Sequence, residues 1–161
     1  MSKIYVDEIA GIASPSSVAI PGHVIQVVQG VKTTGFSTTS GTLSSTGLSV
    51  TITPSSTTSK ILVTFAGNVR YYNDVGADAR GDIKIYNGSS YIASARIRIY
   101  DYGSSGSIMD SPASLVRLDS PATTSAITYT LYANLDTGTQ MELNPLPTTD
   151  VSTITAMEIA G

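Results

Sequence analysis

Leu48, Val50 and Ile52 alternate with Ser49, Thr51 and Thr53, and a two-residue period places the first three on one side of an extended chain and the hydroxyls on the other. After Pro54 and a run of serines and threonines the pattern returns as Ile61, Val63 and Phe65, so the pattern predicts two strands joined by a polar turn. Leu62 stands where a solvent-facing strand would carry a polar residue, so something must cover it. Two further stretches are apolar on both sides. In HVIQVVQGV, Val24 and Val28 oppose Ile25, Val27 and Val31; near the C-terminus, Val151, Thr153, Thr155, Met157 and Ile159 oppose Ile154 and Ala156.

The same period marks Ile83 and Ile85 against Asp82, Lys84 and Tyr86, and Asn87-Gly88 then signals a turn into Tyr91 to Tyr100. There Ala93, Ala95, Ile97 and Ile99 face one way, and Ser94, Arg96 and Arg98 form a basic stripe on the other. Gly35 to Thr46 and Tyr71 to Arg80 read as polar loops. Pro112 implies an edge or a break before Leu115 to Leu118, and Ile127 to Ala133 and Met141 to Leu143 complete the set. Eight or nine short strands with turn-rich links predict an all-β fold, an antiparallel β-sandwich or barrel, over residues 23–161.

Residues 1–22 differ from this pattern. They carry Pro15, Pro21, small residues and short apolar pairs that cannot build a core, which predicts an extended arm ordered by pairing with another protein or with copies of itself. Ile4, Tyr5, Val6, Ile9 and Ile12 are the side chains with which it would dock. The competing reading is an untethered terminus.

Composition narrows the function. At 161 residues the chain can bury a core without staples, and its lack of cysteine removes disulfides, thiol nucleophiles and cysteine-ligated zinc. Nine basic residues without a run, at a net charge of -3, give no surface for tracking phosphates, so no nucleic acid is expected. No apolar run approaches a membrane span, and the first residues lack the order of a signal peptide, so neither membrane insertion nor a cleaved leader is expected.

Catalytic patterns are equally sparse. His23, the single histidine, reads as a residue at a strand entrance, because no serine sits in a nucleophile elbow and the carboxylates are scattered. Asp74, Asp78 and Asp82 are spaced wrongly for a calcium loop, and Arg80-Gly81-Asp82 reads as the lead-in to a strand rather than an integrin motif. We therefore expect no enzyme, no cofactor and no metal. Six of the nine tyrosines lie between Tyr71 and Tyr102. Tyr71, Tyr72, Asp74 and Tyr102 read as loop residues suited to recognising a sugar or protein, while Tyr86, Tyr91 and Tyr100 read equally as recognition rings or as cross-strand packing.

With PGHVIQVVQ, GLSVTITPSSTTSKILV and the closing MEIAG in view, the chain resembles the small trimeric fibre-head and appendage proteins of tailed bacteriophages, particularly those of marine cyanobacteria. Those heads are similar to tumour-necrosis-factor-like jelly rolls that associate in threes. The match covers most of Gly22 to Gly161, with Tyr71 to Asp150 alike only in style. The resemblance implies a homotrimer on a virion, assembled in the host cytoplasm, docked to another virion protein through the arm and contacting host surface glycan or protein. The two-sided strands point independently to association, with Val24, Val28, Leu62, Ile154, Met157 and Ile159 as the trimer interface. The alternative is a capsid decoration or tail-joining protein that binds no receptor; a surface-polysaccharide hydrolase stands third.

Overall fold

The computed structural model describes residues 22–73, 78–88, 90–100, 106–146 and 148–161. The docking residues of the arm, from Ile4 to Ile12, and the recognition candidates Asp74 and Tyr102 lie outside these described residues. Ten strands follow in chain order: β1 (Val24–Lys32), β2 (Phe36–Thr38), β3 (Ser44–Ile52), β4 (Lys60–Asn73), β5 (Ala79–Asn87), β6 (Tyr91–Ile99), β7 (Ser107–Asp119), β8 (Ile127–Thr137), β9 (Gln140–Leu143) and β10 (Ser152–Ile159).

They form two antiparallel sheets. In the first, β10 lies between β1 and β4, while the long β4 carries β7 along its other edge and passes from β10 to β9, which in turn pairs β2. The second runs β3-β8-β5-β6. The expected all-β sandwich is therefore present. Its core is the sum of the alternations: Leu48, Val50 and Ile52 from β3, Ile61, Val63 and Phe65 from β4, Ile83 and Ile85 from β5, Tyr129 and Leu131 from β8, and Ile154 and Ala156 from β10 are all buried. Each large apolar side chain so buried contributes about 1.5–3 kcal/mol relative to exposure.

At one edge the sheets meet with almost no gap. A Cβ on Gly30 of β1 would stand 1.9 Å from the carbonyl oxygen of Ser49 in β3, so only glycine permits the approach. Gly47, at φ +79°, makes the bulge that shifts the β3–β8 register between Ser45 and Ser49.

Three boundaries depart from the sequence reading. The span from Tyr71 is not loop at its start, because β4 continues to Asn73 and β5 begins at Ala79. The polar stretch from Gly35 contains β2, whose Phe36 packs against the core. Pro112 interrupts nothing: β7 runs through it as an edge strand paired only to β4, where one side of the strand needs no N–H donor.

Candidate functional site

Strand pairing assembles a continuous apolar row on the outer face of the first sheet. Val27 pairs Met157, Met157 pairs Leu62, and Leu62 pairs Leu118, one residue from each of β1, β10, β4 and β7. Directly paired residues share a face, so these four side chains lie side by side. The next row is Gln29, Thr155, Thr64 and Val116, and the one after it Val31, Thr153, Ala66 and Ser114. Val27 is 54% exposed, Val31 56%, Leu118 45% and Val116 66%. Beyond the Ala66 row an open groove of about 650 Å³ lies between Ala66–Asn68, Pro112–Ser114 and Thr149–Val151.

Of the six interface residues read from the sequence, Val24, Leu62, Met157 and Ile159 do lie on this face, Val24 opposite Ile159 at its end. Val28 and Ile154 do not. The β1–β10 register shifts between Val24 and Gln26, and this bulge reverses the alternation, so Val24 points outward while Val28 packs against the core. Ile154 is on the opposite parity from Met157 and is fully buried between the sheets. Val27, Val31, Val116 and Leu118 belong to the same face and are not among those six, although the alternation of the first two is visible in the sequence.

The face turns polar toward the far end of β4. Arg70 makes two hydrogen bonds to Asp110, at 2.5 and 2.7 Å, and these bonds raise the guanidinium's affinity for its proton further. The arginine also stands 5.9 Å over the ring of Tyr72, whose hydroxyl donates to Glu142 at 3.1 Å. Tyr72 is thus a half-buried member of a strand rather than a loop residue. Tyr71, its neighbour, necessarily points the other way and is fully buried; its hydroxyl has no hydrogen-bond partner among the described residues, and burial pushes its pKa above the ordinary range. Tyr71 is a core residue, and its assignment to surface recognition is corrected.

The outer face of the second sheet has a different chemistry. The basic stripe of β6 is there and is neutralised: Arg96 bonds Asp82 at 2.7 and 3.1 Å and Asp136 at 2.9 Å, and Arg98 bonds Asp78. The hydrogen bond from Arg96 holds Asp82 below the usual carboxylate range, against the burial that opposes it. Because Asp82 is buried and Gly81 lies within β5, the Arg80-Gly81-Asp82 tripeptide is a strand segment rather than an exposed loop. Asp78 and Asp82 are both committed to arginines.

Beside this charged region stand three tyrosines. The ring of Tyr86 lies 4.8 Å from that of Tyr132 and 6.1 Å, edge on, from that of Tyr91, and Lys84 Nζ sits 5.3 Å from the Tyr91 centroid. Tyr91 is 58% exposed. Hydroxyls border them: Ser49 pairs Thr130, Thr130 pairs Tyr86, and the side chains of Thr51 and Thr128 bond each other at 2.8 Å.

No protein-family model matches the chain, and no curated protein matches it. Among solved structures it is similar to dimeric latent PorU from Porphyromonas gingivalis (11% identity, TM-score 0.42, 97% of this chain and 14% of that one). It is also similar to a chain of infectious bursal disease virus, Gt strain (15%, TM-score 0.38, 99% and 43%), and to the Stig cyclase Fisc from Fischerella sp. TAU (15%, TM-score 0.36, 71% and 57%). The chain thus spans 57% or less of each of these relatives, and likenesses this distant transfer no function.

Proposed function

We propose that the chain is a non-enzymatic bacteriophage virion surface protein: a β-sandwich head that associates in threes through the outer face of its first sheet, docks through its N-terminal arm and presents the trimer for host-surface adhesion. The row Val27, Met157, Leu62 and Leu118 carries this reading. Four apolar side chains abreast, with Val116 beside them and Val31 beyond the Gln29 row, form an apolar strip across an outer sheet face, and three copies around an axis would close it. Each exposed side chain newly buried contributes about 1.5–3 kcal/mol, enough in sum to offset the cost of association.

The resemblance to trimeric appendage heads points the same way. Adhesion follows from multivalency, since several weak sites on one particle bind far more tightly than one. Mass measurement of the full chain at micromolar concentration tests the association: a species of three times 16.7 kDa is expected, and a lone 16.7 kDa species would overturn it. Deletion of residues 2–20 tests the docking, and is expected to abolish incorporation into particles while the head stays folded.

A further inference from the structure

We infer that the tyrosine cluster on the outer face of the second sheet, Tyr86, Tyr91 and Tyr132 with Lys84, is a binding site for a neutral pyranose sugar. The inference rests on the proposed adhesive role only for its biological setting; the site itself lies within one chain. The two outer faces point in opposite directions, so closing the first sheet's face in a trimer leaves the second facing solvent, with one copy of the site on each flank.

Cross-strand packing accounts for Tyr86, which is half-buried and touches both other rings, but not for Tyr91, whose ring is more exposed than packed. The faces of aromatic rings suit the C–H-bearing faces of pyranoses, and a tyrosine offers this area at little cost in rotamer entropy. The rings are held in place from several sides: Tyr86 is flanked by Tyr132 and Tyr91, and Lys84 lies against Tyr91 while its ammonium reaches Asp82 at 3.4 Å. Among the described residues no hydrogen bond engages the hydroxyls of Tyr86, Tyr91 or Tyr132, so all three remain able to donate to and accept from sugar hydroxyls.

The charges select the class of sugar. Among the described residues Lys84, the cation beside the rings, is paired with Asp82, and Arg96 with Asp82 and Asp136, so no unmatched cation adjoins the platform to draw in a sulfated or uronic sugar; Arg80, which has no ion pair, stands opposite Arg98, six residues along β5 from Tyr86. A shallow platform on a sheet predicts weak binding, with a dissociation constant on the order of millimolar per site, which repetition on a particle would multiply.

The test is saturation-transfer NMR of the full chain with the methyl pyranosides of glucose, galactose, mannose, rhamnose, N-acetylglucosamine and N-acetylgalactosamine. At least one should receive saturation. Tyr91→Ala should weaken that signal by about tenfold or more, Tyr91→Phe should retain most of it, and Tyr100→Ala should leave it unchanged, each with the circular dichroism of the parent. No transfer to any of the six, or transfer indifferent to Tyr91→Ala, overturns the inference; so does capture of a host surface protein in the absence of any sugar signal. Immobilised lipopolysaccharide and immobilised exopolysaccharide from the host then distinguish the two sources of the same pyranose chemistry. The mass measurement separates the two ideas: a sugar-binding monomer removes the trimer and leaves the site, whereas a trimer silent to all six sugars removes the site alone.

Discussion

The side-chain amide of Gln26 donates a 2.6 Å hydrogen bond to Glu158 Oε2, joining β1 to β10 beneath the sheet, while Oε1 of the same carboxylate accepts from the backbone and hydroxyl of Ser55 at 2.7 and 2.6 Å. Glu158 is fully buried, and among the described residues no cation pairs with it. Burial alone would push the carboxyl up, but the hydrogen bonds outweigh it and hold the pKa at about 2, below the ordinary 4.5. A depressed carboxyl contributes stability that is present above the unfolded value and lost as pH falls through the folded one. The head should therefore lose on the order of 3 kcal/mol between pH 4.5 and 2 from this group. Denaturant melts across that interval check this. In Glu158→Gln the amide keeps one acceptor where donors meet both carboxylate oxygens, so its NH2 must face either the Ser55 N–H or the Gln26 amide, which cannot turn away without giving up its 2.7 Å bond to the Thr53 carbonyl; the variant should be destabilised by about 1–3 kcal/mol and lose this acid limb.

Leu62→Asp places a carboxylate at the middle of the Val27, Met157, Leu62 and Leu118 row. In the isolated sandwich the side chain is only half-buried, so the fold should survive. In the proposed trimer an unpaired charge would be buried, and the mass should fall to 16.7 kDa with circular dichroism unchanged. Val116→Asp, at a more exposed position on the same face, provides a second reading if the first variant folds poorly. A full trimer in both would remove this face from the interface.

Tyr71→Phe should stabilise the head or leave it unchanged, because the hydroxyl it removes is buried without a partner, a condition that costs about 1–3 kcal/mol. Thermal melts measure this directly. Adhesion should be unaffected, and a loss of adhesion with unchanged stability would return Tyr71 to the recognition surface.

Gly81→Ala should destabilise by about 2 kcal/mol or more, since the new methyl would stand 2.1 Å from the carbonyl oxygen of Asn134 on β8 and 3.1 Å from the Tyr71 hydroxyl. The first of these is backbone and cannot swing aside. An effect of this variant on adhesion should thus track its melting temperature rather than reveal a tripeptide ligand.

The alternations at Leu48–Ile52, Ile61–Phe65 and Tyr91–Ile99 were legible because each strand buries one face, and burial writes a period of two into the sequence. Leu62 likewise marked the outer face of β4 as apolar. What could not be read was anything set by register. The bulge between Val24 and Gln26 is a property of two strands, not one, and it moved Val28 off the face where simple parity placed it. Tyr71 misled because the polar residues after it resemble a loop, while the length of β4 is fixed by pairing with β7 and β9, two segments distant in the chain. The tyrosine cluster was hidden likewise: Tyr132 is far from Tyr86 in sequence, and only the β5–β8 pairing brings them together.

The irregularity at the start of β1 acts as a phase switch. Ile25 is the extra residue, so Val24 and Val27, three apart, both face outward, while the rungs continue past it: the Ala160 carbonyl accepts from the Gly22 N–H and the Ala160 N–H donates to the His23 carbonyl. The two ends of β1 are thereby held on one ladder although their side chains keep opposite phase, and lengthening or shortening the strand by a single residue at this point would turn one of its halves inside out.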